Sequence, residues 1–366
     1  MHSRFQIYKH LLLLLTLTTI LSGCAGTAKQ EQSAFYPPLP SPPRIQYLTS
    51  FSGPTDLAGK TDFSDFILGD EKKDSSLINK PYGVAIHNGV IYVVDIRGPG
   101  YALFDLKNKK FDIIYGSFSG KMKKPINITI DKDGTKYITD TGRSLVLVYD
   151  KDNKFVKIIG DGKAFKPSDL VILDNRLFIT DIKNHRIVVL DKNTGELLNT
   201  IGSTGSEEGQ LFYPTNLALG PNNHLYVSET GNFRVQELTL DGQFVKSFGK
   251  VGTGLGQFAR PKGIAIDRKG NMHVVDAAFE NVQIINSEGK LMMFYGEPGS
   301  DRANINLPTG ITIDYDNVDY FRQYAKPGFE LEYIILVASQ FGHSKVNVFG
   351  LGKMKGMDYG DDHPAE

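Results

Sequence analysis

The sequence predicts an all-β chain folded as a six-bladed β-propeller, each blade a four-stranded antiparallel sheet. Three observations carry this expectation. A proline followed by an apolar–small–apolar triplet recurs at Pro81, Pro125, Pro167, Pro214, Pro261 and Pro308, spaced 44, 42, 47, 47 and 47 residues apart. The second apolar run of each unit ends in an acid at Asp95, Asp140, Asp181, Glu229 and Asp276, with Ser339 in the sixth. Residues 214–249 then spell out four short strands parted by turn residues, among them Gly220-Pro221-Asn222-Asn223 and Asp241-Gly242. One such sheet cannot bury both of its faces alone. Copies must pack face to face, and a period in the forties with four strands per unit is the mark of a propeller.

Taken in order, the chain begins with a targeting segment over residues 1–23. Arg4 and Lys9 give it a basic start, and the apolar run over 11–20 is too short to span a membrane. Leu21-Ser22-Gly23-Cys24 resembles the lipobox of bacterial lipoproteins. That resemblance implies cleavage before Cys24, acylation of its thiol and a membrane-anchored place in the bacterial cell envelope. Cys24 is the single cysteine, so lipidation leaves no disulfide, no zinc–cysteine site and no haem-attachment motif. Ala25 follows the cysteine where an acid would favour inner-membrane retention. By resemblance to enteric sorting, this favours the outer membrane.

Residues 24–43 make a lipidated tether rich in proline (Pro37, Pro38, Pro40, Pro42 and Pro43). Such a stretch is expected to stay extended as a spacer, at up to ~3.5 Å per residue. Removing residues 1–23 leaves two more acidic than basic side chains. That balance gives no footing for nucleic acid, and Lys121-Met122-Lys123-Lys124 reads as a solvated loop. Residues 44–352 form the propeller, expected to act as a monomer, and 353–366 a polar tail.

Ring closure follows from a missing strand. Units 1 to 5 each end in a fourth strand, whereas the sixth reaches only a third, near 345–349, before the polar tail. Residues 44–51 are therefore expected to dock on blade 6 and lock the ring. Residues 63–69 are an alternative for the same role.

Lys183-Asn184-His185-Arg186-Ile187 and Gly231-Asn232-Phe233-Arg234-Val235, each after an acid-ended strand, resemble the NHL-repeat signature. The resemblance spans the propeller and is weakest in blades 1 and 6. It implies a six-bladed ring, and propellers of this kind host binding proteins and enzymes alike.

The chemistry of a propeller lies at the mouth of its channel. The residue two after each opening proline is Gly83, Asn127, Asp169, Asn216, Gly263 and Gly310. Asn127, Asp169 and Asn216 thus stand together where the other blades have glycine. One reading is a set of oxygen ligands for calcium. It resembles the axial site of gluconolactonase- and paraoxonase-like propellers, and so implies a calcium-dependent ester or lactone hydrolase. The other reading is backbone geometry, since Gly, Asn and Asp best tolerate positive φ. Neither reading assigns a catalytic residue or requires a cofactor beyond that calcium.

Other candidates are weaker. His273 fills the slot of Tyr92, Tyr137, Phe178 and Tyr226, so it is expected to be a core substitute for an aromatic ring. The recurring acids with Arg143, Arg186 and Arg234 are expected to cap turn amides or pair between blades as surface ion pairs. The long blade 6 connection over 314–333 carries Tyr320, Phe321, Tyr324 and Phe329, expected either as anchors for a protein partner or as rings that cover the end of the blade. The favoured function is accordingly a membrane-tethered, protein-binding scaffold of the envelope, with the calcium hydrolase as alternative.

Overall fold

The computed structural model describes residues 34–57 and 78–360. The expected targeting segment, Cys24 and the alternative closing segment 63–69 lie outside the described residues. Five four-stranded sheets and one five-stranded sheet follow one another. Blade 1 is Pro81–His87, Val90–Asp95, Gly100–Asp105 and Lys110–Ile114, and the next four blades repeat the plan from Pro125, Pro167, Pro214 and Pro261. All strand pairs within the sheets are antiparallel, and in the first five blades they join in chain order.

The burial of each strand follows from its sequence. Third strands such as Leu145–Tyr149, LVLVY, are apolar throughout and buried throughout, because neighbouring blades cover both faces of the sheet. Outer strands such as Phe244–Phe248, FVKSF, alternate with solvent, because only one of their faces is covered. The core is divided into six clusters, each formed between two neighbouring blades, and the last joins blade 6 to blade 1 through Phe51, Phe104 and Val348. The ring is closed.

Closure uses the expected segment. Ile45–Phe51 pairs antiparallel with Val346–Met354 as the fourth strand of blade 6. The blade then gains a fifth strand, Phe35–Tyr36, which pairs with Ile45 and Gln46. The second half of the proline-rich tether is therefore part of the propeller, since Phe35 is buried and stacks on Phe329 at 5.5 Å. The C-terminal tail is likewise partly folded back. Tyr359 donates its hydroxyl to the Pro43 carbonyl at 2.8 Å, and Arg44 lies over its ring.

The blade 6 connection decides between its two readings. Val318–Phe321 forms a short helix whose Phe321 is 0% exposed in the core between blades 6 and 1. Phe329 is buried, and half-buried Tyr320 and Tyr324 pack against the same cluster. Apolar rings on a long loop beside an uncovered blade end gain more by capping it than by facing water. Phe321 and Phe329 thus cover the blade end and do not stand exposed as partner anchors, while Tyr320 and Tyr324 lean on the same seam with part of their surface in solvent.

Candidate functional site

Each opening proline lies opposite the acid that ends the second strand: Pro81 with Asp95, Pro125 with Asp140, Pro167 with Asp181, Pro214 with Glu229 and Pro261 with Asp276. In the sixth blade Pro308 faces Ser339. Strand direction therefore places the inner-strand starts, the turns between second and third strands, and the links between blades on one face. Every inner strand is bulged just after its proline.

The acids hold that face together. Asp140 accepts the backbone N–H groups of Lys123 at 2.7 Å, Lys124 at 3.0 Å, Gly142 at 2.9 Å and Arg143 at 3.0 Å. Asp95 and Asp276 make the same set of bonds in their blades. Each carboxylate thus ties the segment entering its blade to the turn within it. Arg186 reaches Asp181 at 3.2 Å and Arg234 reaches Glu229 at 2.6 Å, while Arg143 donates to the Ser119 and Lys121 carbonyls. These pairs lie within blades and their acids are fully buried, so they are not the surface pairs expected between blades.

Asn127, Asp169 and Asn216 do converge at the rim. Asn127 donates its amide to Asp169 Oδ1 at 2.6 Å, and Asn216 donates to Oδ2 at 3.2 Å. The backbone N–H groups of Leu170 and Leu217 donate to the same oxygens at 2.8 and 3.0 Å. Asn127 Oδ1 accepts the Ile128 N–H at 2.9 Å. Asn216 Oδ1 is the exception: it is buried and has no donor. Burial pushes the Asp169 carboxyl up to about 7, and its four hydrogen bonds offset only part of that.

The backbone explanation for this position does not hold. None of the six residues has positive φ. The glycines are there for close approach between blades. A Cβ on Gly83 would come 2.1 Å from Asn127 Oδ1, and one on Gly310 would come 2.3 Å from the Tyr82 carbonyl oxygen. Among the described residues, no group of three His, Cys, Asp or Glu is placed to hold a metal ion. The rim trio could offer calcium three side chains, but N–H donors occupy both Asp169 oxygens and Asn127 Oδ1. A cation would have to displace them.

His273 is in the core as expected. It is 0% exposed, and its Nε2 lies 3.0 Å from the hydroxyl of Tyr333, which donates to Asp267 at 3.3 Å. Burial pushes the imidazole down to about 4.

A set of exposed apolar side chains that the repeat pattern does not mark lies on the mouth face. Phe118 is 97% exposed, Leu255 75% and Val251 64%, all on links between blades. Tyr115, Phe212, Tyr213 and Phe341 join them. His185 packs with Phe212 and Tyr213, each at 4.8 Å, and its Nδ1 accepts the Tyr213 N–H at 2.9 Å. The available signal was an apolar residue in a turn-rich link. The opposite face offers mostly polar turns such as Asp131-Lys132-Asp133-Gly134.

No family model matches the chain. Among solved structures it is similar to a gluconolactonase from Xanthomonas campestris, with TM-score 0.56 and 16% identity, covering 75% of this chain and 86% of that one. An auxiliary nutrient binding protein from Bacteroides thetaiotaomicron gives TM-score 0.57 and 13% identity, covering 76% and 70%. A catalytically inactive virginiamycin B lyase from Staphylococcus aureus gives 0.53 and 17%, covering 76% and 97%. The chain is a six-bladed propeller. Its neighbours include binding proteins and enzymes, and at these identities the likeness is one of fold.

Proposed function

We propose that this chain is a docking module of the bacterial cell envelope, held to the membrane through lipidated Cys24 and binding a protein partner on its channel-mouth face. One observation carries the reading. Phe118, Leu255 and Val251 stand out from the links of that face, and Tyr213, Phe212 and Phe341 are exposed on it too. The opposite face is mostly polar. The lipobox-like Leu21-Ser22-Gly23-Cys24 supports the anchor, Ala25 supports the outer membrane, and the NHL-like turns of blades 3 and 4 fit a binding propeller accessory to an envelope complex.

The test is crosslinking of the lipidated chain in its own membranes, followed by identification of what it captures. Phe118→Ser with Leu255→Ser should abolish the specific adduct and leave the thermal midpoint unchanged. Capture that persists in this double variant ends the proposal.

A calcium-dependent ester hydrolase is the second reading, and one observation favours it: Asn216 Oδ1 is a buried acceptor with nothing donating to it. Calcium should then raise the thermal midpoint, and Asn216→Ala should remove that response. A midpoint indifferent to both calcium and chelator ends this reading.

A further inference from the structure

The six residues that directly follow the opening prolines are Tyr82, Ile126, Ser168, Thr215, Lys262 and Thr309. Three have hydroxyls committed within the ring. Ser168 Oγ donates to the Thr215 carbonyl at 2.9 Å, Thr215 Oγ1 bonds Thr230 Oγ1 at 3.0 Å, and Thr309 Oγ1 donates to the Tyr82 carbonyl at 3.0 Å. Ile126 is buried and apolar. Only Tyr82 and Lys262 carry long side chains that end in donors, and both are half-buried. Among the described residues, neither Tyr82 Oη nor Lys262 Nζ has an acceptor.

The fold sets these two donors around a single blade. Blade 6 lies between blades 5 and 1 and is pressed against both. A Cβ on Gly263 would come 2.4 Å from the Thr309 carbonyl oxygen, and one on Gly310 would come 2.3 Å from that of Tyr82. Lys262 and Tyr82 therefore flank Thr309 at the mouth. Arg260, exposed just before Pro261, is close enough to act electrostatically on both. Asp169 acts on the Tyr82 hydroxyl in the opposite sense.

We propose that Tyr82 Oη, Lys262 Nζ and the Arg260 guanidinium form a carboxylate-binding site at the channel mouth. Charge selects the ligand class. Lys262 and Arg260 are the cations, and Asp169, once ionised above about pH 7, leaves one net positive charge, which a monoanion neutralises and a phosphate dianion exceeds. A carboxylate also offers two acceptor oxygens, enough for an ammonium and a phenol donor together. Burial, reinforced by Arg260, pushes Lys262 down to about 8, and an anion beside it would relieve that cost. The inference goes beyond the docking face, because a free small acid satisfies the same donors as a peptide C-terminus.

The test uses the full-length chain and three probes: propionate, a tripeptide with a free C-terminal carboxylate, and its C-amidated twin. Binding is read by saturation transfer from protein to probe. The free-carboxylate peptide should bind about tenfold more tightly than its twin, and Lys262→Met should weaken it by about tenfold. Tyr82→Phe, which removes one oxygen and keeps the ring, should weaken it by about threefold. Thermal midpoints should stay level, since neither donor has a protein partner to lose. Propionate binding with the same dependence on Lys262 assigns the site to free acids, whereas binding by the peptide alone assigns it to a partner's terminus. Equal binding of the free and amidated peptides, or binding by none of the three probes, overturns the site. Neither result bears on Phe118 and Leu255, so the docking face is judged separately.

Discussion

The Asn127 side chain donates to Asp169 Oδ1 at 2.6 Å and so joins the inner strands of blades 2 and 3 at the rim of the channel. Asn216 completes the arrangement from blade 4. A carboxylate buried among amides is held in place by them, yet it still pays for the loss of water.

That balance makes Asp169 a source of pH dependence. The unfolded carboxyl titrates near ~4, whereas burial lifts the folded one to about 7. The folded state therefore holds the proton more tightly, and stability should fall as pH rises from about 4 to about 7. Asp169→Asn should remove this slope, because Asn216 Oδ1 is an unpartnered acceptor for the new amide. The variant should be more stable than the parent at pH 8, by on the order of 1–4 kcal/mol, and nearly equal to it at pH 4. Urea unfolding at the two pH values measures this, and parallel profiles would refute it.

His273 should act in the opposite sense. Its folded pKa is pushed down to about 4, below the unfolded value near ~6.5. The unfolded chain then binds more protons, so stability should be lost as pH falls from about 6.5 towards 4. His273→Phe should flatten that acid limb while leaving the bond from Tyr333 to Asp267 in place. Thermal midpoints between pH 4 and 7 are the measurement.

Glu229 accepts from the Phe212 N–H at 2.8 Å, Asn232 at 2.6 Å, Arg234 at 2.6 Å and Gln236 at 2.8 Å, with no exposed surface of its own. Glu229→Ala strands four donors. It should cost about 3–5 kcal/mol in denaturant unfolding, the range for breaking a buried pair. A loss under ~1 kcal/mol would place these bonds with ordinary surface pairs.

Phe321→Ala should destabilise the chain by about 3–5 kcal/mol through the cavity left between blades 6 and 1. Phe118→Ala, by contrast, should change stability by less than ~0.5 kcal/mol, because the ring is 97% exposed. Equal effects from the two would reverse the assignment of core and surface.

The architecture was legible because propeller blades are local. Each strand pairs with its neighbour in sequence, so apolar runs, turn residues and opening prolines repeat at the spacing of the structure. Closure by residues 44–51 was legible for the same reason, since a sixth unit one strand short leaves a row of unpaired backbone groups that needs a partner.

What each side chain meets was decided only by tertiary structure. Asp169 finds its amides 42 and 47 residues away, and nothing in its own unit encodes them. Phe321 and Phe118 are the same residue type on connecting segments, yet one fills a seam and the other faces solvent. The rim glycines have ordinary φ and are required by a neighbouring blade's backbone. The repeat by itself determined the ring and the positions on its rim. Burial, pairing and the unmet donors at its mouth arise where blades touch, because contact between units depends on how the ring closes.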